Sequence, residues 1–136
     1  MYQKAADQAD LVAQINLGAM YQTGRGVPKD EAEAVKWYRK AAEQGHATGQ
    51  MHLARMLIAR KGAKQDIPQA ALLLARAAAQ EEATAKNELA ALLKNDIQAR
   101  KVQTHLKELG LYTGAIDGVF GNGSYAALRA YCECSF

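Results

Sequence analysis

Three histidines, two cysteines and fourteen acidic residues are the side chains of this 136-residue sequence that could hold a metal or move a proton. Their spacing supports little of that chemistry. His46 and His52 are six positions apart and miss the three- or four-residue interval that sets two ligands on one helix face, and His105 stands far from both. Cys132-x-Cys134 offers two soft ligands without a second pair, whereas a closed zinc shell takes four. An unstructured tail is the default reading there, and two cysteines so close cannot staple a framework or identify a redox compartment. Asp30, Glu31, Glu33, Glu81 and Glu82 fall at predicted helix starts, where negative charge complements the macrodipole. No nucleophile is set beside a histidine and an orienting group. Gly24-x-Gly26 lacks the strand-to-helix context and the lysine of a phosphate loop. A noncatalytic protein with no metal site and no cofactor is expected.

The bulk composition agrees. Seventeen basic and fourteen acidic residues leave a net charge of +3 with both signs interspersed, too mild for a nucleic-acid surface. No apolar run reaches the roughly 18 residues of a membrane span, so no insertion by this segment is expected. Met1-Tyr2-Gln3-Lys4-Ala5-Ala6-Asp7 does not read as a signal peptide, because no apolar stretch follows the early charge. An export signal would lie outside this chain. Apolar residues make up 49%, many of them alanine, and there are two prolines. That balance favours closely packed helices, since alanine is the best helix former and lets backbones approach.

The elements recur at one interval. A shift of 36 positions brings Gln14 onto Gln50, Leu17 onto Leu53, Met20 onto Met56, Gly26 onto Gly62, Asp30 onto Asp66, and Ala41-Ala42 onto Ala77-Ala78. Leu53, Met56 and Leu57 continue to Leu89, Leu92 and Leu93. Periods of roughly 20–50 residues mark stacked repeats. Within a unit the apolar stripe is helical, as in Ala34, Trp37, Tyr38 and Ala41, and Gln22 to Lys29 reads as a turn. Trp37 and Tyr38 are stripe positions and hence core. Gln44-Gly45 ends a second helix through a left-handed glycine, and Gly18 marks the closest approach of a helix pair. Helices are predicted at about 2–7, 9–22, 30–44, 46–60, 68–80 and 82–95, with Pro68 in the first turn of its helix. The second unit has drifted, with Leu73-Leu74 for Trp37-Tyr38, Arg60 for Gly24 and Glu81 for Gly45.

The string Leu17-Gly18-x-Met20-Tyr21-x-x-Gly24-x-Gly26-Val27-x-x-Asp30, then Ala34-Val35-x-Trp37-Tyr38-x-x-Ala41-Ala42-x-x-Gly45, resembles the Sel1-like repeats, relatives of tetratricopeptide repeats. The resemblance covers residues 1 to about 95. It implies an all-α fold, an α/α superhelical solenoid whose first helices line a concave surface, and a role as adaptor or scaffold. Tetratricopeptide geometry would place Val12, Ile15, Ala19, Met51, Arg55 and Ile58 on that surface. Two roles are open for them: docking a protein or peptide partner, or packing against a neighbouring element such as the C-terminal module. An opening inside the second helix of an earlier repeat suggests a piece of a longer protein, since solenoid ends carry polar caps.

The register stops near Asn95-Asp96. Beyond it stand Leu109-Gly110, Tyr112-x-Gly114, Asp117-Gly118-x-Phe120-Gly121 and Ala127-Leu128-x-x-Tyr131. They read as a helix ended by Gly110, a glycine-rich turn region with a turn at Asp117-Gly118, and a final helix capped by Ser124. Leu106, Leu109, Ile116, Phe120 and Leu128 are the expected core. This stretch is similar to the peptidoglycan-binding domain of bacterial cell-wall hydrolases, with Asn122 for a usual proline, Ser124 for a usual threonine, Cys132 for a usual glutamine, and a shortened end. The likeness implies Tyr112, Asp117, Phe120 and Ser124 as glycan contacts, with a helical cap on the solenoid as the competing role.

The expected organisation is thus a repeat solenoid over 1–96 and a small helical module over 97–136. The expected function is a noncatalytic scaffold that binds a protein or peptide and, through its end, peptidoglycan. The combination resembles the periplasmic part of bacterial polar-organelle-development scaffolds, which implies a periplasmic location. The alternative is the accessory region of a peptidoglycan-active enzyme whose catalytic domain lies outside this chain, and a third reading is a cytosolic adaptor or secreted effector in which the wall-binding likeness is only a helical cap.

Overall fold

A computed structural model describes residues 2–80 and 82–133, with side chains from Asp10 onward; Glu81 and Cys134 lie outside the described residues. Among them are seven helices and no strand. The chain packs as two compact units, residues 1–65 and 66–136.

The first unit holds α1 (Tyr2–Thr23), α2 (Glu31–Glu43) and α3 (Ala47–Ala59). α1 is one helix where two were expected, because Ala6-Asp7-Gln8-Ala9 contains neither glycine nor proline to interrupt it. It ends at Gly24 (φ 78°), whose N–H, with that of Arg25, returns to the Met20 carbonyl at 2.7 and 3.1 Å. Asp30 then caps α2 by accepting from the Glu33 N–H at 3.2 Å, a contact of about 1 kcal/mol in such positions. Glu31 and Glu33 lie in the first turn, on the side of the helix dipole that favours them. Gly45 (φ 82°) makes the expected left-handed turn into α3.

α2 packs on both α1 and α3, and Tyr38 is the residue that joins them. Its side chain is fully buried. One face of the ring lies on Gly18, where a Cβ would stand 2.6 Å from Tyr38 Cε1. The other stacks on His52, with centroids 4.8 Å apart and planes 14° from parallel. The hydroxyl donates to Gln22 Oε1 at 2.7 Å. Gly18 is therefore the close approach that the sequence suggested, and an aromatic ring occupies the space its missing side chain leaves. Trp37, also expected in the core, is only half-buried, with Lys40 Nζ 4.7 Å from its ring centre.

The second unit holds α4 (Ile67–Ala79), α5 (Ala83–Lys94), α6 (Asp96–Glu108) and α7 (Asn122–Cys132). The 36-residue period is visible in the backbone. α2 and α4 begin at 31 and 67 and end at 43 and 79, and α3 and α5 begin at 47 and 83. Asp66 repeats the cap of Asp30, accepting from Gln69 N–H at 3.1 Å, and Pro68 sits in the first turn as expected. The Lys61 N–H returns to Met56 O at 3.0 Å, as Arg25 does to Met20 one period earlier.

That period also exposes a cost. Arg60 has φ 58°, the left-handed conformation that Gly24 adopts in the preceding loop. An L side chain there costs on the order of 1 kcal/mol. Arg60→Gly is expected to stabilise the chain by about that amount despite the loss of the exposed Arg60 to Gln65 bond, measurable as a higher urea midpoint with an unchanged slope.

α4 packs on α5, α6 and α7 within this unit. Leu74, Leu106 and Leu128 fill its core and are almost wholly buried. Asn95 both ends α5 and caps α6, accepting from Gln98 N–H at 3.1 Å. No loop of the 24–30 or 60–66 type remains. Gly110 (φ 77°) closes α6, and the Leu111 N–H reaches back to Leu106 O at 2.9 Å. Three expectations need correction. Leu109 is 49% exposed, because as the C-cap of α6 it points away just as the chain leaves the helix. Ser124 is not the cap of α7: that place falls to Gly121, and Ser124 lies inside the first turn. Cys132 belongs to no loose tail; it is buried in the last turn of α7.

Candidate functional site

Two surfaces hold the residues singled out in the sequence. In the first unit, α1 carries Val12, Ile15 and Ala19, and α3 carries Met51, Arg55 and Ile58. Val12 is 52% exposed, Arg55 is exposed, and Ile15, Ala19 and Ile58 are half-buried. Met51 is buried and contributes packing. Four of the six are thus apolar positions with surface left to offer.

The second surface is built by the segment between α6 and α7, residues 110–121, which has no regular structure. One stripe of α6 holds it in place. Arg100, Gln103 and Lys107 are spaced three and four apart, which sets them on one helix face. Arg100 is fixed by Asp96 at 3.1 Å and donates to the Ile116 and Asp117 carbonyls at 3.4 and 3.2 Å. Lys107 reaches the Gly114 carbonyl at 3.3 Å.

Gln103 is the centre of this arrangement and is fully buried. Its Nε2 donates to Val119 O at 2.9 Å, Ser124 Oγ at 3.0 Å and Asp117 Oδ1 at 3.2 Å, and its Oε1 accepts from the Gly118 N–H at 3.0 Å. Gly118 (φ 77°) has no room for a side chain, since a Cβ would collide with the Asp96 carboxylate. The Val119 N–H closes an Asx turn on Asp117 Oδ1 at 3.0 Å, so the turn at Asp117-Gly118 is present as expected. That N–H, then the Gln103 amide, holds the Asp117 carboxyl below its ordinary pKa.

The structure separates the four expected glycan contacts. Tyr112 is half-buried and its hydroxyl donates to Ala115 O at 2.7 Å, bracing the loop. Asp117 is exposed, with one carboxylate oxygen occupied by the turn. Ser124 is buried beneath the loop with its hydroxyl on Gln103. Of the four, Phe120 is the one that lines a groove. That groove has a volume of about 360 Å³ and lies between α5 (Ala90, Leu93, Lys94), the loop (Gly118, Val119, Phe120) and Tyr125 of α7. Phe120 meets Tyr125 edge to face, with centroids 4.9 Å apart and planes at 83°. Val119 at the rim is 68% exposed. Lys94, Tyr125 and Gln103 were not among the residues expected from sequence. The three-four spacing of Arg100, Gln103 and Lys107 was the available signal for the last.

His46 stands at the cap position of α3, His52 lies on Tyr38, and His105 meets the Tyr131 ring at a centroid distance of 5.4 Å. Burial raises the phenol pKa of both Tyr38 and Tyr131, the latter also through the nearby Asp66 charge. No helix among the described residues is long and apolar enough to cross a membrane.

Comparison with known proteins places both halves. The Sel1 repeat family model matches residues 1–10, 11–46 and 47–82, and the peptidoglycan binding domain model matches residues 95–131. A Sel1 repeat protein from Oxalobacter formigenes is 38% identical with a TM-score of 0.58, over 60% of this chain and 61% of that one. The protective antigen c5321 of uropathogenic Escherichia coli, which displays an SLR fold, is 28% identical with a TM-score of 0.62, over 97% of this chain and 32% of that one. The chain therefore spans less than two thirds of the length of either. No curated protein matches. The fold class is the all-α solenoid class of Sel1-like repeats that the sequence suggested. Repeats of this kind are generally non-catalytic scaffolds for protein interaction, and the second match suggests binding to the cell wall. With three successive matches and a backbone that repeats its caps and turns every 36 residues, the chain belongs to the Sel1 repeat family.

Proposed function

We propose that this chain is a noncatalytic scaffold that takes a protein or peptide partner on its repeats and is tethered to peptidoglycan by its last forty residues. In this reading residues 1–96 and 97–136 are the two functional parts, although the compact units meet at 65/66. One observation carries it. The match to the peptidoglycan binding domain begins at residue 95, directly where Asn95 ends α5, which supports assigning both proposed roles to one short chain. Val12, Ile15, Ala19, Arg55 and Ile58 form the proposed partner face over a buried Met51. Their mixture of apolar side chains and one cation suits an amphipathic peptide with an acidic residue. The proposed location is the periplasm, and the proposed role is similar to that of polar-organelle-development scaffolds.

Co-sedimentation with purified sacculi tests the tether. Most of the intact chain is expected in the pellet and is released when the glycan strands are digested with a muramidase. A chain that stays in the supernatant with undigested sacculi removes the tether from this reading.

A further inference from the structure

The groove beside Phe120 has features that select among the components of the wall. Its volume of about 360 Å³ lies near the lower end of small-ligand sites, enough for a sugar ring or two amino-acid residues but not for a helix. Its floor is apolar, from Ala90 and Leu93 of α5, and its side is aromatic, from Phe120 and Tyr125. At its edge stands Lys94, exposed and with no ion pair among the described residues. No acid is among the described residues that line the groove. Asp96 is held by Arg100 at 3.1 Å, and Asp117 accepts from the Val119 N–H and from Gln103. Asp117 keeps its negative charge but is not among the lining residues, so Lys94 is the charged group of the groove.

Resting on the wall-binding reading above, we infer that this groove binds a carboxylate of the peptidoglycan stem peptide, with Lys94 as the residue that recognises the charge. Peptidoglycan presents uncharged sugars along its strands and free carboxylates on its peptides, so a cation over an apolar floor favours the peptide. Lys94 and the floor belong to α5, whereas the peptidoglycan binding domain match begins at residue 95. The last repeat helix therefore supplies one wall of the site and its charge. The loop residues supply the rest, held in place from α6 by Gln103. An isolated piece beginning at residue 95 would lack the determinant.

The test uses the full chain, intact sacculi, and sacculi whose stem-peptide carboxylates have been converted to amides with a carbodiimide and ammonia. Wild-type protein is expected to bind intact sacculi about tenfold more tightly than amidated ones, the size of one partly desolvated charged contact. Lys94→Gln should abolish that preference, and Lys94→Arg should keep it. Lys94 is exposed, so circular dichroism of K94Q should match wild type. Equal wild-type binding to both preparations, or a K94Q protein that still prefers intact sacculi, overturns the assignment while leaving the tether in place. Failure of wild type to bind either preparation removes the tether and this site with it.

Discussion

Gln103→Leu is expected to lower the stability of the second unit by about 3 kcal/mol and to release the loop between α6 and α7. Leucine has a similar volume, so no large cavity arises; the loss is polar. The buried Gly118 N–H and the buried Ser124 hydroxyl would both lose their Gln103 partner, as would the Val119 carbonyl. Each unsatisfied buried group costs about 1–3 kcal/mol. Urea unfolding followed by circular dichroism measures the change, and proteolysis within residues 110–121 reports the loop. Gln103 is also the second cause of the low Asp117 pKa, after the Val119 N–H. A depressed carboxylate contributes stability above its unfolded pKa that is lost as pH falls through the folded value. In the leucine variant the Asp117 titration should therefore move upward, towards the ordinary carboxylate range. Gln103→Glu supplies the opposite sign. Its new carboxylate would face Asp117 Oδ1, its own pKa would rise, and stability should recover as pH falls and it takes up a proton. A leucine variant as stable as wild type, with the loop intact, would show that Gln103 does not hold this segment.

Tyr38→Ala is expected to cost the first unit about 3–5 kcal/mol, the range for removing a fully buried aromatic ring. The ring fills the space above Gly18 and stacks on His52, so its loss opens a void between α2 and both its neighbours. Collapse cannot fill that void easily, because Gly18 has no side chain to move into it. Tyr38→Phe separates packing from polarity. It should cost only about 1 kcal/mol, the worth of the hydroxyl bond to Gln22. The native phenol also titrates above the ordinary tyrosine value, chiefly through burial. Stability of this unit should be constant below the unfolded phenol pKa and fall in alkali as pH rises towards the folded one. The phenylalanine variant should lack that alkaline loss. Denaturant titrations of wild type, Y38F and Y38A across pH would show all three effects, and equal stability of Y38A and Y38F would refute the packing role.

Most of the fold was legible because a repeat writes the same local physics more than once. Asp30 and Asp66 stand at helix starts 36 residues apart, Gly45 turns the chain left-handed, and Pro68 starts a helix. Each is a short-range effect of one residue on its own backbone, and hence readable in one dimension. The left-handed Arg60, which replaces Gly24, reads from the sequence only as drift. The misreadings share the opposite character. The break expected near residue 8 rested on the repeat pattern alone, without any residue that stops a helix. Leu109 looked like core because it is leucine, yet at the end of α6 its direction depends on where the chain turns next. Ser124 looked like a cap because serine often is one, but the helix begins two residues earlier and the hydroxyl answers Gln103.

The sequence by itself determined the all-α repeat class and the 36-residue interval at which its helices recur. Only the tertiary structure decided which of those polar residues work together. Gln103 is a helix residue like any other until four groups spread over residues 117 to 124 converge on it. Lys94 is an ordinary end-of-helix cation until Phe120 and Tyr125 are brought beside it. Caps, turns and helical stripes come from neighbours within about four residues along the chain. A groove or a buried hydrogen-bond centre joins residues 14 to 35 apart, and their meeting depends on how the helices pack.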